Sequence, residues 1–153
     1  MKQTTLAYIE NGKSTLLLYR NKKKNDENAG KWIGVGGKFL AGESPEECML
    51  REVYEETGLT PTSYRYRGIV TFVSGDCCEY MHLFTVSEYV GTLTACDEGE
   101  LAFIENEKIG DLPMWEGDRV FFDLLKKDLP FFSLKLVYSG ERLNRAILNG
   151  EPL

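Results

Sequence analysis

Residues Gly37 to Leu59 run GKFLAGESPEECMLREVYEETGL. Several helix-start signals coincide in the middle of this stretch. Ser44 suits an N-cap, Pro45 suits the first helical position, and Glu47 can close a capping box. Gly58 stands where a left-handed C-terminal cap is expected. The spacing predicts a helix over Pro45 to Thr57, with Met49, Leu50 and Val53 on its apolar side.

The same helix carries an excess of acid. Glu52 and Glu56 are four residues apart and Glu52 and Glu55 three apart, so the three carboxylates share one face. Like charges at that spacing destabilise a helix unless a cation sits among them. Arg51 can pair with Glu47 or Glu55, which still leaves carboxylates over. A hard divalent cation is the natural partner, because Mg²⁺ favours a few carboxylates together with waters and phosphates. Gly36 and Gly37, just before the helix, permit close backbone approach, so a main-chain carbonyl could join the ligands. A solvated acidic face is the usual reading of a bare E-x-x-E-E pattern. Here the pattern is longer: G-x5-E-x7-R-E-U-x-E-E-x-G-U, with U aliphatic, and every specified position is filled. Seven positions at about 6% usage and two at roughly 30% make a chance match on the order of 10⁻¹⁰ per start.

This segment resembles the Nudix box in its complete form. The resemblance implies an α/β fold, the Nudix α/β/α sandwich, with a mixed β-sheet and a loop-helix-loop box that binds Mg²⁺ or Mn²⁺. It implies hydrolysis of a nucleoside diphosphate linked to another moiety. Carried over position by position, Glu52, Glu55 and Glu56 are the expected metal-binding carboxylates, helped by the Gly36 carbonyl. Arg51 orients the glutamates, Glu43 pairs with it and braces the loop, and Gly37 and Gly58 shape the box. Phosphoanhydride hydrolysis needs phosphate charge neutralised, a water placed in line, and a carboxylate to take its proton. Glu52, Glu55 and a later acid, Glu98, are the candidates for that last role.

Working outward, Leu6–Glu10 and Thr15–Arg20 read as a strand pair joined at Asn11-Gly12. Residues 21–30 (NKKKNDENAG) read as a loop, and Trp32–Gly37 as a short strand running into a turn. Tyr64–Val73, Glu79–Tyr89 and Ala102–Glu105 are β-like. Asp118–Lys127 has helical periodicity, with Val120, Phe121, Leu124 and Leu125 inward. Phe131–Tyr138 and Leu143–Leu148, about Ser139-Gly140, suggest a final hairpin, although the last segment reads nearly as well as a helix. Nothing resembles a linker or repeat, so residues 1–153 are expected to form a single domain.

Composition removes other classes. The formal net charge of −6 argues against polynucleotide binding, which selects for a basic face. One histidine, His82, and four cysteines without a C-x-x-C pair give no structural zinc set. Reduced thiols, no apolar run of membrane length and no signal-peptide opening point to a cytoplasmic protein. The glycine run matches neither nucleotide fingerprint, which removes kinase and dehydrogenase readings.

Beyond the box the chain is similar to the MutT-like branch, which sanitises nucleotides and includes the mammalian oxidised-purine triphosphatases. Gly30-Lys31-Trp32, the run Gly34 to Lys38, His82-Leu83-Phe84, Asp97-Glu98 and Leu112 to Asp118 carry that likeness. The implied substrate is a nucleoside triphosphate, 8-oxo-dGTP among the candidates, cleaved to monophosphate and pyrophosphate. Trp115, Asp118 and Lys38 are the expected substrate-binding residues. Two departures touch base recognition. Ile33 stands where the mammalian enzymes have asparagine, and Gly117 replaces the first of their two adjacent aspartates. His82, Trp32 and Lys22-Lys23-Lys24 read as a structural histidine, a packing residue and a solvated loop. The alternatives are another linked diphosphate or pterin triphosphate as substrate and, more remotely, a non-catalytic nucleotide sensor. An isopentenyl diphosphate isomerase needs more histidines than this chain has. Monomer and homodimer are both open.

Overall fold

A computed structural model describes residues 1–153. Ten strands join one mixed sheet: β1 (Lys2–Asn11), β2 (Ser14–Arg20), β3 (Trp32–Ile33), β4 (Val35–Lys38), β5 (Leu59–Ser74), β6 (Cys77–Gly91), β7 (Gly99–Glu105), β8 (Phe132–Ser139), β9 (Arg142–Leu148) and β10 (Glu151–Pro152). Three helices intervene: α1 (Pro45–Thr57), α2 (Asn106–Ile109) and α3 (Glu116–Lys126). The sheet order is β10-β9-β8-β5-β6-β1-β2-β3, with β4 also on β1 and β7 on β2. Two pairings, β1 with β6 and β5 with β8, are parallel.

Alternation along the strands builds two cores, one on each face. Leu6 and Tyr8 of β1, Leu17 of β2 and Leu83 of β6 pack with Phe121, Phe122, Leu124 and Leu125 of α3. Ala7 and Ile9, Leu16 and Leu18, and Phe84 and Val86 pack with Met49 and Val53 of α1. Full burial of side chains such as Met49 and Val53 is worth about 1.5–3 kcal/mol each, which holds α1 on the sheet. The result is the expected helix–sheet–helix sandwich. No helix is long and apolar enough to cross a membrane.

Helix α1 has the predicted bounds because its caps form. The Ser44 side chain accepts from the Glu47 amide, the Glu47 side chain accepts from the Ser44 amide, and Gly58 adopts φ 78°. The strands after it run longer than predicted. β5 begins at Leu59, directly after the helix, and passes through bulges at Pro61–Ser63, Ser63–Tyr64 and Tyr66–Gly68 that keep it paired with β6. Residues 142–148 form a strand on β8, which settles the open choice for that segment. Val120 is only half-buried, and Phe122 takes its expected place facing the sheet.

Candidate active site

The glycines of β4 let α1 come down onto the sheet edge. Gly37 lies opposite Thr5 and Gly36 opposite Leu6 in the pairing with β1. A Cβ on Gly36 would stand 1.9 Å from the Thr5 carbonyl oxygen, and one on Gly37 would stand 2.4 Å from the Glu52 carboxyl group. Any side chain at either position would occupy space that the strand or the helix carboxylate already fills.

Arg51 organises the acids around it. Its Nε and Nη2 donate to Glu43 Oε2 and Oε1 at 2.7 and 2.9 Å. Nη1 donates to Glu52 Oε1 at 2.7 Å and to Glu55 Oε2 at 3.2 Å, and Nη2 also reaches the Lys38 carbonyl at 3.0 Å. The hydrogen bonds from Arg51, with the Leu40 amide, pull the Glu43 carboxyl down to about 2, and Glu43 in return raises the guanidinium further. Of the two partners open to Arg51 within the helix, Glu55 is taken, because Glu47 is committed to the cap.

At about 100° per residue, Glu52 and Glu56 flank the buried Met49–Val53 stripe, whereas Glu55 turns outward. The Glu55 side chain is 57% exposed. Glu56 lies against β4, accepting from the Gly36 amide at 3.3 Å. Burial first, then the charges of Glu98 and Glu52, push its carboxyl up to about 8, against the pull of the Gly36 amide and Arg20.

Glu98 therefore belongs to this group of acids rather than to a distant loop. Arg20 Nη1 holds it at 3.1 Å and Lys23 Nζ lies 3.7 Å away. Arg20, only 8% exposed, also donates Nε to Asp26 at 2.8 Å. Lys22 donates its amide to the Glu98 carbonyl and its Nζ to the Cys96 carbonyl, both at 3.3 Å. The lysine run is exposed, as expected of a solvated loop, and its first two members also reach across to the Cys96–Glu98 turn. Arg20 went unread in the sequence; its signal was a lone cation closing an otherwise apolar strand, which burial obliges to find acids.

The carboxylates do not close around one point as they stand. Arg51 draws Glu52 and Glu55 to itself and Glu56 turns to the Gly36 amide. The donor set nevertheless suits a hard divalent cation: several carboxyl oxygens near one another, that of Glu56 pushed up to about 8 by burial and then by the charges of Glu98 and Glu52.

On the α3 face, Trp115 and Asp118 stand together. The Trp115 Nε1–H donates to Asn28 Oδ1 at 2.8 Å, and its ring meets Tyr138 edge-on at 5.6 Å. Asp118 is 5% exposed, and no hydrogen bond supports its carboxyl, which burial and the Glu79 charge push up to about 7. Gly117 has a packing reason: its amide donates to the Tyr138 hydroxyl at 2.7 Å, and a Cβ there would lie 2.5 Å from that oxygen. Ile33 packs into the core beneath α1. Lys38 is exposed at the end of β4 beside the box. His82 is satisfied on both nitrogens, by Tyr66 and by Gln3, and Trp32 packs on Tyr19 and the α3-side core.

Comparison with known proteins agrees with this geometry. A sequence model of the NUDIX domain matches residues 2–125. The chain is 34% identical over 118 residues to an oxidized purine nucleoside triphosphate hydrolase of Danio rerio, covering 74% of this chain and 76% of that one. It is 29% identical over 147 residues to the uncharacterized Nudix hydrolase YvcI of Bacillus subtilis, covering 92% and 89%. A crystal structure of a mutator MutT protein from Bacillus halodurans superimposes with a TM-score of 0.89 at 26% identity, over 99% of this chain and 100% of that one.

Proposed function

This chain belongs to the Nudix hydrolase family, and from that premise we propose that it hydrolyses a nucleoside triphosphate to the monophosphate and pyrophosphate. Mg²⁺ is the expected cofactor, with Mn²⁺ able to replace it. The carrying observation is the packing of Glu56 against the Gly36 amide beside the Arg51-held Glu52 and Glu55, where burial and then the charges of Glu98 and Glu52 push its carboxyl up to about 8.

In this reading Glu52, Glu55 and Glu56 hold the cation with help from the Gly36 carbonyl. A cation held there would supply positive charge to neutralise phosphate oxygens and to acidify a water. Arg51, anchored by Glu43, sets the directions of Glu52 and Glu55. Glu52, Glu55 and Glu98 are the carboxylates placed to accept the water's proton, and Glu98 is steadied for that role by Arg20. Lys38 reaches the phosphates from the end of β4. Trp115 and Asp118 receive the base, and an oxidised purine such as that of 8-oxo-dGTP is the leading candidate, because the Danio rerio relative is an oxidized purine nucleoside triphosphate hydrolase. The chain acts as one unit over residues 1–153, in the cytoplasm, on a small nucleotide rather than a polynucleotide.

One observation favours a sister reading. Lys31 Nζ lies over the Trp115 ring, 4.4 Å from its centroid, and pairs with Glu141. It thereby covers a face that a stacked base would use. A linked diphosphate whose base is not stacked on Trp115 would not need that face. The test is Mg²⁺-dependent pyrophosphate release from a panel of ordinary and oxidised nucleoside triphosphates, with a nucleotide sugar included. Preference for an oxidised purine supports the lead. Turnover of the nucleotide sugar alone keeps the phosphoanhydride chemistry and discards the triphosphate.

A further inference from the structure

The sheet carries a second polar site, under the last turn of α3 and away from the box. Tyr8 and Glu10 follow Leu6 on the α3 side of β1, alternating with Ala7 and Ile9, which pack beneath α1. Leu6 pairs with Gly36 at the box, so Glu10, four residues on, lies about 13 Å further along the strand. There a cleft of about 60 Å³ opens between the sheet and α3, with Tyr8, Glu10, Arg67, Thr85 and Lys126 among its lining. Arg67 is its unusual member, only 6% exposed and set at the bulge between Tyr66 and Gly68. Nη1 donates to Thr85 Oγ1 at 3.2 Å, and Nη2 to the Leu125 carbonyl at 3.3 Å and Asp128 Oδ1 at 3.0 Å. Its buried Nε–H has no acceptor. The charge is also poorly balanced, because Asp128, its one ion-pair partner, is 68% exposed and shared with Arg65. Burial, then Arg65, press the guanidinium below its usual value, against the pull of Asp128 and Glu10.

The Tyr8 hydroxyl is in the same condition. It is buried without a partner, and burial pushes it well above the ordinary tyrosine value, so it keeps its proton. Glu10, half-buried in the same lining, receives no side-chain donor from the protein. Lys126, exposed and over the Phe122 ring, adds a second cation to the lining. Buried donors without acceptors are rare in folded chains and call for something that satisfies them. The occupant of this cleft must accept from Nε–H and O–H, donate to a carboxylate, and bring negative charge to Arg67 and Lys126. We propose that the cleft binds a small oxyanion carrying its own O–H, the chemistry shared by hydrogen phosphate and bicarbonate. The cleft is twice a water's ~30 Å³ share of the liquid, room for such an ion and not for a nucleotide. Sulfate has the size of phosphate but no proton to offer near neutrality, so the Glu10 carboxylate repels it.

The test uses metal-free protein near pH 7 at constant ionic strength, so that no cation at the box can hold an added anion. Inorganic phosphate, bicarbonate and sulfate are titrated separately, following the Arg67 Nε–H resonance by NMR and the melting temperature by calorimetry. Phosphate or bicarbonate should move the resonance saturably and raise the melting temperature, and sulfate should bind about tenfold more weakly or worse. The tighter of the two identifies the ion, tetrahedral or planar. Glu10→Gln, whose amide can donate, should bring sulfate level with phosphate. Tyr8→Phe should melt no lower than the wild type without anion, since its hydroxyl has no partner to lose, and should weaken the preferred anion about tenfold. Equal binding of sulfate and phosphate by the wild type, or a preference unchanged in Glu10→Gln, overturns the proposal. So does undiminished binding in Tyr8→Phe. A resonance that responds to none of the three ions overturns it as well and leaves the cleft to ordered water. The hydrolytic reading of the box stands apart from all of these outcomes.

Discussion

Arg51 grips Glu43 across eight residues with two hydrogen bonds, Nε to Oε2 at 2.7 Å and Nη2 to Oε1 at 2.9 Å. The paired geometry fixes the plane of the guanidinium, which leaves Nη1 aimed at Glu52 and Glu55. Glu43→Gln keeps the shape and loses one charged acceptor. Turnover should fall by about 10- to 100-fold, the usual cost of removing a residue that orients metal ligands. Far-ultraviolet circular dichroism should show α1 retained, because the Ser44–Glu47 cap is untouched.

The two glycines of β4 should fail in different ways. In Gly37→Ala the new methyl meets the movable Glu52 carboxyl at 2.4 Å. The fold should survive, while Mg²⁺ affinity and kcat fall together as Glu52 is displaced. In Gly36→Ala the methyl meets the Thr5 carbonyl at 1.9 Å, which is backbone. That variant should lose about 3 kcal/mol of stability as β4 is pushed from β1. Urea melts and Mg²⁺ titrations on both variants separate the two effects.

The pH dependence has a definite sign. The Glu56 carboxyl is raised to about 8 and Asp118 to about 7 in the folded chain, above their ordinary values. Their contribution to stability is complete below the unfolded values near 4 and is lost as pH rises through 7 and 8. Glu43, lowered to about 2, acts oppositely, and its contribution disappears only as pH falls through about 2. Metal-free protein should therefore melt at a lower temperature at pH 9 than at pH 6. Added Mg²⁺ should restore more stability at pH 9, and its binding near pH 7 should release a proton measurable by calorimetry in two buffers. Equal Mg²⁺ stabilisation at both pH values would remove Glu56 from the ligand set.

Tyr138 supplies the hydroxyl that receives the Gly117 amide, in a buried position. Tyr138→Phe leaves that amide unpaired at the first turn of α3, which should cost about 1–3 kcal/mol in chemical denaturation. Because the loosened turn carries Asp118, KM for nucleotides should rise with little change in kcat.

Much of this was legible in the sequence wherever the determinants are local. The bounds of α1 follow from Ser44, Pro45, Glu47 and Gly58, each acting within one turn of the chain. The β1–β2 hairpin follows from Asn11-Gly12, with Gly12 at φ 61°. The box acids were readable because their spacing is helical. What escaped depends on pairings between distant segments. The parallel alignment of β1 with β6 brings Glu79 to Lys2, and no local pattern announces it. Arg20 meets Glu98 because the antiparallel pairing of β2 with β7 sets Arg20 opposite Gly99. The strand at 142–148 is defined by its partner β8 rather than by its own propensity. Pro61 would ordinarily argue against a strand, yet β5 absorbs it at a bulge near its start.

The most direct test of the central claim follows 8-oxo-dGTP and dGTP by ³¹P NMR with Mg²⁺, using the wild type and Glu56→Gln. The wild type should yield nucleoside monophosphate and pyrophosphate, and Glu56→Gln, folded and with an unchanged melting curve at pH 6, should be slower by orders of magnitude. Formation of diphosphate and inorganic phosphate, or near-native turnover in Glu56→Gln, would contradict the account.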